Sequence, residues 1–223
     1  MTSPIHSSSP SPLTQLIAIR HGETSWNRTA RYQGQEDIAL NEAGFSQAHD
    51  IAQALSETPL DALYTSDLKR AYQTAAALTL PAVCLPELRE QHFGVFQGFT
   101  GTEIAQRWPD ASAKWHQRVA DFGPEGGETR QAFSQRCVAA LARLAQAHAG
   151  QTIAVVCHGG VLDCLYRAAS GLSMEVPRTW SLENAAINRL AFDGHRFSIL
   201  AWGDTAHLQR TGTDELIEHF PAP

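Results

Sequence analysis

Apolar residues fall along this chain in two kinds of run. Leu16-Ile17-Ala18-Ile19 and Thr152-Ile153-Ala154-Val155-Val156-Cys157 are short, unbroken and rich in β-branched side chains, and they read as buried parallel strands. Elsewhere the spacing is helical. Phe133, Cys137, Leu141, Leu144 and Ala145 recur at intervals of three and four and predict a helix from Thr129 to Ala149, ended by Gly150. Asn41 is the predicted N-cap of a helix carrying Phe45, Ala48, Ala52 and Leu55, and Ser66 that of a helix running through Arg70 and Thr74 to about Leu78. Short strands near 62–64 and 82–85 fit the gaps. Ile187 to Phe192 and Arg196 to Trp202, joined by Asp193-Gly194-His195, predict a terminal hairpin.

Strands alternating with helices predict an α/β fold, a three-layer α/β/α sandwich with a mostly parallel sheet, whose ligands bind beyond the carboxyl ends of the strands. Both unbroken apolar runs empty into a loop that holds a histidine, His21 after Arg20 and His158 directly, where that rule puts a site. Residues 99–128, with Trp108-Pro109, Trp115-His116 and Gly123-Pro124-Glu125-Gly126-Gly127, break the alternation and read as an inserted cap. The expected organisation is a disordered tail over 1–15, a single catalytic domain over 16–210 and a C-terminal tail over 211–223. No internal repeat is present.

The 223 residues carry 23 acidic and 17 basic side chains, a net charge of −6, which argues against a nucleic-acid-binding surface. No run approaches the roughly 20 apolar residues of a spanning helix, so no membrane partner is expected. The first twelve residues hold five Ser and three Pro with no Lys or Arg, unlike a signal peptide. Cys84, Cys137, Cys157 and Cys164 show neither zinc-finger nor C-x-x-C spacing, so neither a structural metal nor a disulfide framework is expected and the cytoplasm is the default compartment. Base rates alone suggest a homodimer.

In Arg20-His21-Gly22-Glu23-Thr24 a glycine allows close backbone approach, an arginine offers a planar fork of donors to phosphate oxygens, and a neutral imidazole is a nucleophile. That grouping suits phosphoryl transfer through nitrogen. The attacking nitrogen of His21 must be unprotonated, so its other ring nitrogen is expected to donate to a backbone carbonyl, while a bound phosphate should favour protonated His158. Cys157 adjoins His158, but neighbouring strand residues face opposite sides, which places it in the core.

Arg20-His21-Gly22-Glu23-Thr24, Ser66 to Ala75, Leu88 to Gly94, Gly126-Gly127-Glu128-Thr129, His158-Gly159-Gly160 and Asp204 to Leu208 occur in order, and together they resemble the histidine phosphatase superfamily. The resemblance covers about residues 16–208. It implies that His21 takes up the phosphoryl group as phosphohistidine, that Arg20, Arg70 and His158 clamp the phosphate, that Asn27 adds a neutral donor, and that Glu90 is the proton donor. Metal-free catalysis on a small phosphomonoester is implied as well. Glu90 would need a raised pKa; beside Arg89 it also fits a solvated surface ion pair. Thr24 is expected to orient His21 or its phosphate, Gln33 and Gly34 to line the entrance, and Gly159 to contact substrate. Ser66 fits either an orienting role or a simple cap. Trp108, Trp115 and His116 fit either a substrate pocket or packing, and His207 matches a family position of unassigned role.

Within the family, phosphatases pass the phosphoryl group to water, whereas mutases retain a bisphosphorylated intermediate and use 2,3-bisphosphoglycerate. The resemblance implies that mutases carry an arginine after the glutamate and an arginine pair in the insertion. Here Gln91 follows Glu90, and Arg107 and Arg118 stand apart. A phosphatase without cofactor is therefore the preferred reading, with an apolar substrate body suggested by Phe93, Phe96, Phe99 and Trp108. A phosphoglycerate mutase is the alternative. An inactive phospho-ligand-binding protein would lack at least one of His21, Arg20, Arg70, Glu90 and His158, and none is missing.

Overall fold

The computed structural model describes residues 12–208, so most of the N-terminal tail and the whole segment 211–223 lie outside the described residues. Elements follow in the order β1 (Thr14–Arg20), α1 (Ser25–Arg28), α2 (Glu42–Ala54), β2 (Ala62–Thr65), α3 (Lys69–Ala75), β3 (Ala82–Cys84), α4 (Gly101–Arg107), α5 (Pro109–His116), α6 (Arg130–Ala147), β4 (Thr152–Cys157), α7 (Gly159–Ser170), β5 (Ile187–Phe192) and β6 (Phe197–Asp204). The first strand starts at Thr14, two residues before the expected boundary, because the Thr14 hydroxyl is anchored on the carbonyl of Ala145.

The six strands form one sheet in the order β3-β2-β4-β1-β5-β6. The first four run parallel; the terminal hairpin β5-β6 adds antiparallel strands at one edge. Side chains of β1 and β4 alternate between two cores, as the two-residue period of a strand requires. Leu16, Ala18, Ile153, Val155 and Cys157 face α6 and α7, while Ile17, Ile19, Ala154 and Val156 face α2 and α3. The three-layer α/β/α sandwich is thus the observed fold. Among the described residues no helix is long and apolar enough to cross a membrane.

Local chemistry explains the element ends. Asn41 Oδ1 accepts from Gly44 N at 2.8 Å and starts α2, but Phe45 is half exposed and Ile51 takes the core position. The expected cap at Ser66 is not one. Helix α3 begins at Lys69, whose N–H is accepted by Asp37 Oδ1 at 2.7 Å, a cap supplied from another loop; Ser66 Oγ accepts only the Leu68 N–H before the helix, at 3.3 Å. Thr129 caps α6 through Ala132 N, and Gly150, at φ +80°, turns the chain into β4. Helix α7 has no counterpart among the expected elements.

Residues 99–128 fold as α4 and α5, with Pro109 at the first position of α5. Phe96, Ile104 and Trp115 form a small separate core with Tyr32, Phe93, Phe99 and Trp108 packed around it. Phe96 is fully buried, and Arg130 lies over the Trp115 ring, 3.6 Å from its centroid. These aromatic side chains hold the segment together, which corrects the reading of Phe96 as part of an apolar substrate wall. Trp115 is packing, its Nε1 donating to the Tyr32 hydroxyl at 3.0 Å, and His116 is exposed.

Glycines show how closely α2 sits under the first strand's loop. A Cβ on Gly44 would collide with the carbonyl of Glu23 and approach its nitrogen to 2.9 Å, whereas one on Gly101, in the first turn of α4, would meet nothing within 4 Å. Gly44→Ala should therefore lower stability by about 1–3 kcal/mol, and Gly101→Ala should leave it unchanged or raise it by about 0.4–1 kcal/mol. Urea unfolding of the two variants checks this; equal midpoints would remove the proposed close docking of α2.

Candidate active site

Strands β1 and β4 pair in parallel with Arg20 opposite Cys157, and His21 N donates to Cys157 O at 3.0 Å. Adjacent strands ending at one level bring the two following histidines together: the His21 and His158 rings have centroids 5.2 Å apart. Arg70 enters from the first turn of α3, and Glu90 from the loop after β3.

His21 is buried, and its Nδ1 lies 2.7 Å from Gly22 O. A carbonyl can only accept, so Nδ1 carries the proton and Nε2 keeps its lone pair, as the nucleophilic role requires. Burial, reinforced by the charges of Arg70 and Arg20, holds the His21 pKa well below the usual histidine value, so the ring is neutral at neutral pH.

Arg70 is almost fully enclosed. Its Nε donates to His158 Nδ1 at 3.2 Å, Nη1 to Glu36 O at 2.8 Å and Nη2 to Gly34 O at 2.7 Å. Burial lowers its pKa to about 10, which leaves it cationic at neutral pH. The contact with His158 bears on the protonation of that ring. Arginine Nε–H is always a donor, so His158 Nδ1 is an acceptor, and the ring's one proton sits on Nε2. Burial and the neighbouring Arg70 hold the His158 pKa well below normal. His158 Nε2 is buried with no protein partner, a neutral donor available to an oxyanion. Arg20 is braced by a hydrogen bond from Nη1 to Leu182 O, and its Nε lies 3.5 Å from where a Gly159 side chain would begin. Gly159 thus lies beside the Arg20 guanidinium.

Glu90 is a buried carboxyl, not a surface one. Arg89 pairs instead with Asp67 through two bonds of 2.8 and 2.6 Å, so the surface ion-pair reading fails. Burial raises the Glu90 pKa, against backbone donation from Gly160 N at 2.9 Å and Gln91 N at 2.8 Å and the charges of Arg70 and Arg20. A side chain on Gly160 would strike Glu90 Oε1 and come within 3.0 Å of Phe133, so that glycine is what lets α7 approach the carboxyl.

Asn27 Oδ1 accepts from Thr24 N and Thr24 Oγ1, each at 3.0 Å, which leaves the Nδ2 amide as the donor it can offer a ligand. Thr24 is buried and committed to that capping box, a positioning job, not a substrate contact. Gln33 is buried with Oε1 unpartnered, and Gly34, at φ +55°, contributes its carbonyl to Arg70. His207 Nε2 lies 3.1 Å from Ala185 O, behind the site. Cys157 is core, its thiol pKa pushed up by burial. One residue of the site has no mark in the sequence pattern: Asn184, whose Nδ2 reaches His21 O at 3.0 Å and Gly22 O at 3.3 Å. A single Asn before a strand carries no motif. Among the described residues no group of three or more His, Cys, Asp or Glu is arranged to hold a metal ion.

Residues 16–205 match the family described as the histidine phosphatase superfamily (branch 1). The chain is 38% identical over 207 residues to phosphoglycerate mutase-like protein 4 of Arabidopsis thaliana, covering 89% of this chain and 88% of that protein. It is 36% identical over 210 residues to the metal-independent phosphoserine phosphatase of Arabidopsis thaliana, covering 91% and 86%. Among solved structures, phosphoserine phosphatase from Entamoeba histolytica in complex with 3-phosphoglyceric acid superposes with a TM-score of 0.80 at 26% identity, covering 88% of this chain and all of that one.

Two buried neutral histidines make folding sensitive to acid. Their folded pKa values lie below the unfolded value of 6.5, so their contribution is present above that value and is lost as pH falls toward the folded ones. Glu90 acts oppositely: with its pKa raised above 4.5, its contribution is full at low pH and lost as pH rises. His158→Gln removes one histidine while keeping an acceptor for Arg70. Between about pH 7.5 and about pH 5.5 its loss of stability in urea should be smaller than wild type's, by on the order of 1 kcal/mol. Equal losses would mean that His158 is protonated when folded.

Proposed function

The chain belongs to the histidine phosphatase superfamily, and from that premise we propose that it is a phosphomonoesterase acting on a small phosphorylated metabolite through a phosphohistidine at His21. The observation that carries this reading is the opposed pair of imidazoles, one offering a lone pair at Nε2 and the other an N–H at Nε2, flanked by two arginines. A transferring phosphoryl group spreads charge over three equatorial oxygens, and fixed donors lower its energy most in the transition state.

In the proposed reaction Arg20, Arg70, His158 Nε2–H and Asn27 Nδ2 hold the phosphate oxygens. His21 Nε2 bonds to phosphorus as the P–O bond to the leaving group breaks, and protonated Glu90 gives its proton to the departing oxygen. The Glu90 carboxylate then takes a proton from water as that water attacks phosphorus, which releases inorganic phosphate and restores His21 and Glu90. The raised Glu90 pKa suits both steps. No step calls for a metal.

Hydrolysis is favoured over isomerisation by where the arginines of residues 99–128 are committed. Arg107 lies over the Phe99 ring; Arg118 binds Met174 O at 2.7 Å and Asp163 at 3.0 Å; Gln91 is turned to Glu128 O at 2.9 Å. These side chains are already engaged and do not form a second clamp for a bisphosphate. The two Arabidopsis relatives are named for a phosphatase and for a mutase-like protein, so both outcomes belong in one assay.

Phosphorus NMR with phosphoserine, and separately with 3-phosphoglycerate plus a trace of 2,3-bisphosphoglycerate, should show inorganic phosphate released and no 2-phosphoglycerate. Rapid isomerisation dependent on His21 would make the mutase reading correct. His21→Ala should fold and lose turnover by at least about 1,000-fold; wild-type rates would end the phosphohistidine mechanism. Glu90→Gln should slow alkyl phosphates about 100-fold or more while slowing activated aryl phosphates much less. Equal losses on both would take Glu90 out of the donor role.

A further inference from the structure

Asn184 stands 163 residues from His21 in sequence, yet its side-chain amide meets three oxygens of the nucleophile's loop: His21 O at 3.0 Å, Gly22 O at 3.3 Å and Asn27 Oδ1 at 3.4 Å. All three are acceptors, Asn27 Oδ1 because it already takes the Thr24 N–H. The Asn184 atom facing them is therefore its NH2 nitrogen and not its oxygen. Gly22 O is also the acceptor of the His21 Nδ1 proton.

The chain around Asn184 is tied to the same loop. Leu182 O accepts from Arg20 Nη1, Ala185 N donates to His21 O at 3.2 Å, and Ala186 O accepts from Arg20 N at 3.2 Å. Ala185 is buried at φ +60°, a conformation that disfavours residues with a side chain. Strain of this kind persists where surrounding contacts over-determine the backbone. Here it directs the Ala185 N–H and the Asn184 amide to one carbonyl.

We propose that Asn184 is a positioning residue for the nucleophile: it fixes the Gly22 carbonyl that holds His21 in the Nδ1–H tautomer, so that Nε2 faces phosphorus. The inference rests on the phosphohistidine reading above. A carbonyl oxygen has two acceptor sites, and with Asn184 on one of them the Gly22 peptide cannot rotate without breaking both bonds. Asn27 is held chiefly by Thr24 through two 3.0 Å bonds, so ground-state phosphate binding depends on Asn184 much less than the attacking geometry does.

The test is Asn184→Ala and Asn184→Asp, the second an isostere that presents oxygens where the NH2 donor was. Rapid-quench trapping of the phosphoenzyme gives the rate of phosphoryl transfer to His21, inhibition by inorganic phosphate gives ground-state binding, and nitrogen-15 NMR of labelled histidine reads the His21 tautomer without turnover. Both variants should transfer about 100-fold more slowly and show His21 as a mixture of tautomers, and the uncharged Asn184→Ala should bind phosphate within about 3-fold of wild type. Wild-type transfer rates, or an unchanged tautomer in both variants, would overturn the proposal. So would equal losses in transfer and phosphate binding, which a merely structural brace predicts. If Asn184→Ala does not fold, Asn184→Leu, which is close in shape and has no donor, is read in the same way. A wild-type protein that forms no phosphoenzyme would defeat the phosphohistidine reading itself, a result separate from any effect of Asn184.

Discussion

Burying positive charge is the constraint on which the rest of the site depends. Arg20 and Arg70 sit at the carboxyl end of the sheet with two imidazoles between them and one carboxyl nearby, and Arg70 is almost wholly withdrawn from solvent. Protonating either histidine would add a third cation to this enclosed space, and an unpaired buried charge is among the least favourable features a fold can carry. The histidines therefore stay neutral. Neutrality gives each ring one donor and one acceptor, and the partners decide which is which: Gly22 O fixes the proton of His21 on Nδ1, and Arg70 Nε fixes that of His158 on Nε2. Opposite tautomers, one nucleophilic and one donating, follow from the same electrostatic limit.

The sheet supplies the alignment that this arrangement needs. β4 lies between β2 and β1, and its parallel register with β1 delivers both histidines at one level, while Arg70 arrives on the helix after β2. Carbonyls of Glu36 and Gly34 hold the arginine's outer nitrogens, and the turn at Gly34 is possible because a residue without Cβ accepts φ +55° under the Gln97 side chain. Backbone oxygens thus orient the cation without neutralising it.

Much of this was legible in the chain. Unbroken apolar runs marked β1 and β4 because both are covered on two faces, and the three-four spacing marked α6 because only one of its faces is buried. Helix α7 was hidden by its first two residues: Gly159 and Gly160 are poor helix formers, and the apolar positions Val161, Leu162 and Leu165 follow a strand closely enough to read as its continuation. His21 and His158 stood out at strand ends, whereas Glu90 and Asn27 were identifiable only by resemblance. The state of His158 was not legible, because it depends on which way Arg70 Nε points. Nor was the role of the aromatic residues in 99–128, since packing and pocket use the same residue types. Asn184 lay out of reach because a hydrogen bond across 163 residues leaves no local signature.

The carboxyl of Glu90 links the electrostatics to the order of the proposed steps. Burial raises its pKa, and the forces opposing that rise are two backbone donors and the charges of Arg70 and Arg20. In the proposed reaction a phosphate held by the arginines would offset those charges, so substrate binding would push Glu90 further toward its protonated form at the moment an acid is needed. Once the leaving group has departed with that proton, the Gly160 and Gln91 N–H groups remain to stabilise the carboxylate that must then activate water. The N–H of Gly160 belongs to the first turn of α7, directly after His158. One strand-to-helix turn therefore carries both the proposed donor for the phosphate and the support for the proposed acid, and the absence of a side chain at Gly160 is what lets them share it.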